Sequence, residues 1–155
     1  MKRFRFPLRP VAVLRAHRQA RAREAFAAAV HSYVAAEERL AAVRVRQREL
    51  EAIMHDGRRA TFRAADEVAF WGAYRGVCAE EVQCELATIE ARTEMEARRE
   101  DYLEAHRDVK IVDRLEQKAR ITYRQEVDRE SQRELDEMAG FRVARRLAAS
   151  TIVSS

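Results

Sequence analysis

Four histidines and two cysteines are the residues of this chain best suited to hold a metal or to act as nucleophiles. Their spacing supports neither role. His17, His31, His55 and His106 are scattered, with no pair at the i,i+4 spacing that sets two imidazoles on one helix face. Cys78 and Cys84 fall roughly 120° apart around a helix. They cannot easily bridge within one helix, and they lack the spacing of a zinc site. No glycine-rich loop cradles a phosphate and no nucleophile elbow occurs. The 26 acidic residues are numerous, but a catalytic carboxylate pair needs a pocket that shifts its pKa. These residues imply no enzyme, no metal and no cofactor.

The chemistry that remains is charge. Residues 1–23 carry eight basic side chains and no acid, and the stretch from Phe141 onward adds Arg142, Arg145 and Arg146, again without an acid. Residues 24–140 hold 19 basic and 26 acidic side chains, a net of −7. Ends of this kind suit an acidic partner, whether a negatively lined protein pore, nucleic acid or an anionic membrane. The arginine clusters lack interleaved aromatics and any nucleic-acid reading module, so nucleic acid is not the expected partner. The apolar run Val11 to Leu14 lies between Arg9 and Arg15 and is too short for a signal sequence or a bilayer span. The expected location is the cytoplasm, with a mitochondrial transit peptide as the alternative reading of the arginine-rich, acid-free start.

The elements that carry these charges are long helices. Charged residues make up 36% of the chain, against four glycines and two prolines, the composition of a coiled coil. A basic arm over residues 1–9 contains Phe4, Phe6 and Leu8 in alternation. Pro10 preorganises the start of a helix over 10–54. Within it Phe26, Tyr33, Leu40, Gln47 and Met54 recur every seven residues, and Ala29, Ala36, Val43 and Leu50 follow the first four by three. That is an a/d seam over four heptads. His55-Asp56-Gly57 opens a turn over 55–65, and Asp66 caps a second helix over 66–139. Gly140 is read as its stop, with a basic flexible tail over 140–155. Gly72 and Gly76 inside the second helix imply close helix contact or a local bend.

An antiparallel hairpin pairs residues whose numbers have a constant sum. A sum near 121 matches Phe26 with Met95, Leu50 with Trp71, Gln47 with Tyr74 and Val43 with Cys78. Sums of 119 to 122 match Leu40 with Val82 and Tyr33 with Leu86 or Ile89. The expected seam is therefore Phe26, Tyr33, Leu40, Val43 and Leu50 against Val82, Leu86, Ile89, Met95 and Val109. The fold class is all-α, two long helices in an antiparallel coiled-coil hairpin with the second overhanging. Past Val109 about 45 Å of helix has no partner in the chain.

The ordered residues resemble the FliJ family, the stalk component of the bacterial flagellar type III export ATPase. The resemblance rests on Phe4-Arg5-Phe6-Pro7-Leu8-Arg9-Pro10-Val11 at the start, Ala36-Glu37-Glu38-Arg39-Leu40 in the first helix, and Phe70-Trp71 with Tyr74 after the turn. It also rests on Asp113-Arg114-Leu115-Glu116-Gln117-Lys118, Tyr123-Arg124 and Glu134-Leu135-Asp136-Glu137-Met138-Ala139. It implies a two-helix coiled coil similar to the central stalk of rotary ATP synthases. The implied partners are the hexameric export ATPase, the cytoplasmic domain of the export-gate membrane protein, and export chaperones. Contact with the membrane is only indirect, at the cytoplasmic face of the inner membrane. The ATPase ring is expected at the basic end, on Arg15, Arg18, Arg21, Leu115 and Tyr123. Carried over residue by residue, the gate contact falls on Arg39, Trp71 and Tyr74, with Val43, Leu50 and Cys78 divided between that role and the seam. An injectisome stalk is the nearest alternative. A coiled-coil linker or nucleic-acid-associated protein without an export role is the other.

Overall fold

The computed structural model describes residues 3–57 and 63–153, with side chains described through Arg146. Two helices account for nearly all of them, α1 over Arg9–Gly57 and α2 over Ala64–Val153, and they pack against each other. Ahead of α1 the arm makes one tight turn, in which the Arg9 amide donates to the Phe6 carbonyl at 3.2 Å. Pro7 occupies the second position of that turn, where its fixed φ fits. Pro10 lies in the first turn of α1, where its missing N–H costs nothing.

Three boundaries differ from the sequence reading. α1 runs three residues past Met54, to Gly57. α2 begins two residues before Asp66, and the Asp66 and Glu67 amides donate to the Arg63 carbonyl at 3.0 and 3.1 Å. Asp66 is thus a first-turn acid that complements the positive end of the helix rather than a cap. The rest of the expected turn, residues 58–62, lies outside the described residues. Finally, Gly140 does not stop α2. No glycine among the described residues has positive φ, so Gly140 does not form the left-handed cap that ends helices. The neighbours Met138, Ala139 and Ala144 favour continuation, and the supposed tail is helical to Val153.

The chain divides into two compact units, one spanning Arg15–Arg107 and one made of Met1–Leu14 with Asp108–Ser155. In the first unit the inner face of α1 repeats at alternating steps of three and four: Phe26, Ala29, Tyr33, Ala36, Leu40, Val43, Gln47, Leu50 and Met54 are all buried or half-buried. Val43, only 3% exposed, is the most completely covered.

The inner face of α2 is the expected one only in part: Met95 and Val109 are half-buried as expected, but three of the five expected residues are not. Val82, Leu86 and Ile89 are 53%, 50% and 62% exposed. The half-buried positions are instead Val77, Glu81, Cys84, Thr88, Ala91 and Met95, again at steps of four and three. Volume explains the choice. The large residues of α1 need small ones opposite them if two backbones are to approach closely, and Cys84, Thr88 and Ala91 supply these. Val82, Leu86 and Ile89 keep their own heptad spacing on the opposite side of the helix.

The register also differs. Arg44 with Glu81, Gln47 with Cys78, Glu51 with Tyr74, and Gln19 with His106 all touch across the hairpin. Each pair sums to 125, not 121. The helix ends Gly57 and Ala64 do sum to 121, so the backbones fold back where the sequence places the turn. Side chains on a helix lean toward its N-terminus, and in an antiparallel pair the two leans are opposed. Side chains that meet therefore start from residues with a larger sum. A lean of about one residue on each helix accounts for about half of the shift of four.

In the second unit Val112 is 2% exposed, and Val109, Glu116, Ala119, Tyr123 and Val127 continue the half-buried face of α2. Ala12 faces inward from α1. This part of α2 is therefore not bare, because the arm lies against it: Phe4 packs on Tyr123.

Candidate functional site

With its core reduced to a thin seam, the first unit presents most of its side chains to solvent, and polar contacts flank the seam. Arg44 bridges two turns of α2, its Nε donating to Glu81 at 2.9 Å and a terminal nitrogen to Glu85 at 2.6 Å. These two hydrogen bonds hold the guanidinium more firmly protonated than usual. Arg46 pairs with Glu80 alongside. Further along, the Gln19 amide nitrogen meets His106 Nδ1 at 2.8 Å. His106 stacks on Tyr102, which stacks in turn on Phe26.

Near the start of α2, Phe70 is buried while Trp71 and Tyr74 pack edge-on at 5.9 Å between ring centroids. Trp71 remains 40% exposed. The Tyr74 hydroxyl donates to Glu51 at 2.9 Å. A hydrogen bond with Gln47 pulls the phenol's pKa down, but the Glu51 carboxylate, partial burial and nearby charge together raise it. Of the residues expected to meet the gate, Trp71 and Tyr74 share one aromatic cluster. Arg39 is exposed on α1 and, among the described residues, has no hydrogen bond or cation–π contact with that cluster. Val43, Leu50 and Cys78 are covered by the seam to different degrees, Val43 most.

Of the residues expected to meet the ATPase ring, Arg18 and Arg21 are exposed on α1, whereas Arg15 is half-buried. Leu115 is 42% exposed. Tyr123 is half-buried, with Phe4 against its ring at 5.5 Å, centroid to centroid. The Arg120 guanidinium lies 5.4 Å from the other ring of that pair, Phe4. Arg15, Arg18 and Arg21 belong to the unit Arg15–Arg107, and Leu115 and Tyr123 to the other.

Two features were missed from sequence. One is an open groove of about 750 Å³ beside the arm, floored by Phe4, Tyr123 and Val127 and rimmed by Arg5, Arg129 and Glu130. The alternation of Phe4, Phe6 and Leu8 was its signal, because an alternating apolar strand implies a surface to lie on. The other is the exposed stripe of Val82, Leu86 and Ile89, whose apolar spacing was visible but assigned to the wrong face.

Among the described residues no cluster of three His, Cys, Asp or Glu side chains is arranged to hold a metal ion. No helix among them is long and apolar enough to cross a membrane. What the site offers is extended helical surface with paired and unpaired charge. A family model described as the flagellar FliJ protein matches residues 4–148. The chain belongs to the FliJ family. The match takes in the arm, both helices and the groove between arm and α2. It makes this FliJ-family chain a flagellar export-related stalk protein, of a family whose role is coupling rather than catalysis. No match was found among the curated proteins or the solved structures.

Proposed function

We propose that this FliJ-family protein is the stalk that promotes assembly and activity of the hexameric export ATPase, and that it links the ring to the export gate and to export chaperones. It works without cofactors, at the cytoplasmic face of the inner membrane. The observation that carries the reading is the family match over residues 4–148 on a chain folded as two packed helices. A thin seam with a charged exterior suits a part that inserts into a larger assembly, because its surface is left for partners.

In the unit Arg15–Arg107 the ring is engaged through Arg15, Arg18 and Arg21 of the acid-free basic region; Leu115 and Tyr123 are a separate apolar contact on the other unit. Arg18 and Arg21 are exposed, so an acidic surface can reach them without unfolding the hairpin. The gate is met by Trp71 and Tyr74, whose rings pack and still present an open edge, with Arg39 as a flanking charge.

The test is co-purification with a hexameric export ATPase, followed by measurement of ATP hydrolysis with and without the stalk. Charge reversal at Arg18 and Arg21 leaves the seam untouched; adding Arg15 extends the change to a half-buried position. Stimulation should fall, and the residual binding should respond less to salt. Wild-type stimulation and salt response in the Arg18/Arg21 variant would remove the electrostatic part of the proposal. Failure of the wild-type chain to bind any export ATPase would remove the whole.

A further inference from the structure

Past Val127 the heptad pattern of α2 ends, and the helix takes on a different chemistry. Leu135, Met138, Phe141 and Val143 are 60%, 56%, 75% and 57% exposed. Arg142, Arg145 and Arg146 lie among them and are exposed as well. No acid occurs from Met138 to the end of the sequence. Among the described residues none of these seven side chains makes a hydrogen bond, ion pair or ring contact.

Their azimuths are informative. At about 100° per residue, the four apolar residues and the three arginines share an arc of roughly 200° on α2. The opposite side carries Asp136, Glu137, Gly140 and Ala144. Basic and apolar groups are thus interleaved on one face, with Glu134 at its N-terminal edge and Asp136 and Glu137 turned away. Leu135, Met138, Ala139, Arg142, Val143 and Arg146 line a shallow groove of about 470 Å³ along that face.

We propose that this segment of α2, residues 135–146, docks on an anionic lipid surface. Charge complementarity and the disposition of the apolar residues favour a bilayer over a protein or nucleic-acid partner. A helical partner needs a narrow stripe at alternating steps of three and four; Leu135, Met138, Phe141 and Val143 step by three, three and two and sweep a broad arc. Nucleic acid presents phosphates but no apolar layer for Met138 and Phe141. A bilayer interface presents both, an anionic sheet above a continuous apolar layer. Arginine stems lie along that layer while their guanidinium groups rise to the headgroups.

The inference goes beyond the stalk reading and does not depend on it. It is tested on the full chain by co-sedimentation with vesicles of phosphatidylcholine alone and of phosphatidylcholine mixed with phosphatidylglycerol. Binding is expected to the mixed vesicles only, and to weaken with salt. R142A/R145A/R146A should reduce it on the order of 100-fold. M138S/F141S should reduce it about tenfold or more, with the charge unchanged. R18A/R21A should retain most of it. Circular dichroism checks that each variant stays helical, and hydrogen exchange over residues 138–146 should slow when mixed vesicles are added. No binding to mixed vesicles at low salt overturns the proposal. So does binding indifferent to M138S/F141S, which would mark simple attraction between charges. Tight binding to duplex DNA without binding to vesicles overturns it too.

Discussion

The ring of Phe4 lies 5.5 Å from that of Tyr123, centroid to centroid and tilted by 58°. The contact ties the arm to a part of α2 that, from sequence, has no partner in the chain. The Arg120 guanidinium lies 5.4 Å from the Phe4 ring and is itself held by Glu116 at 2.7 Å. One aromatic side chain thus touches Arg120 and Tyr123, neighbours three residues apart on one face of α2.

An aromatic pair is worth about 0.5–1.5 kcal/mol beyond its buried area, and an exposed cation–π contact about 0.5–1 kcal/mol. Phe4→Ala should therefore release the arm without unfolding the helices. Trypsin cleavage after Arg5 should speed up by about tenfold or more, since 1.4 kcal/mol is a factor of ten. The urea midpoint should hardly move. Cleavage at the wild-type rate would mean that Phe4 does not hold the arm.

The inner face of α1 and the outer face of α2 should respond differently to truncation. Val43 is 3% exposed, and Val43→Ala removes two buried methylene-sized groups at about 0.8 kcal/mol each, plus a cavity term. A loss of about 1.5–2.5 kcal/mol is expected in urea unfolding. Val82→Ala and Ile89→Ala should stay within about 0.5 kcal/mol of wild type, because both side chains already face solvent and alanine is the better helix former. A large loss at Ile89 would restore the seam expected from sequence.

The inner face of α1 was legible because its large residues at heptad spacing, Phe26, Tyr33, Leu40 and Met54, are all buried or half-buried. On α2 the correlation fails. Its largest aliphatic residues lie outside, while Glu81, Cys84 and Thr88 lie within, so hydrophobicity alone selects the wrong side. Only the volume demand of the facing helix decides between them, and no reading of α2 by itself contains that information. The register slipped in part for a related reason, since numbering locates backbone atoms whereas contacts are made by leaning side chains. The aromatic cluster of Phe70, Trp71 and Tyr74 was legible because three rings within one turn and a half must touch. The groove beside Phe4 was not, because its walls lie more than a hundred residues apart in sequence.

Gly72 and Gly76 were expected to mark close contact or a bend, yet a Cβ added at either would meet nothing within 4 Å. In the chain alone they are a cost of about 1 kcal/mol each relative to alanine. Gly72→Ala and Gly76→Ala should each raise stability by about 0.5–1 kcal/mol, and the double variant should be close to additive. Thermal unfolding of the isolated protein measures this. Destabilisation by either change would show that a glycine backbone is needed within the chain itself.

Arg44 offers the sharpest check on the register. In the observed pairing it reaches Glu81 and Glu85; side chains that met at a sum of 121 would set it against Val77 instead. Arg44→Glu should lower the thermal midpoint by placing three carboxylates together. Adding Glu81→Arg and Glu85→Arg to the same chain should recover much of the loss. The pair is solvent-exposed, so both effects should shrink in molar salt, where screening acts over about 3 Å. Recovery at low salt that fades at high salt would establish the sum of 125 in solution. Equal midpoints for the single and triple variants at low salt would refute it.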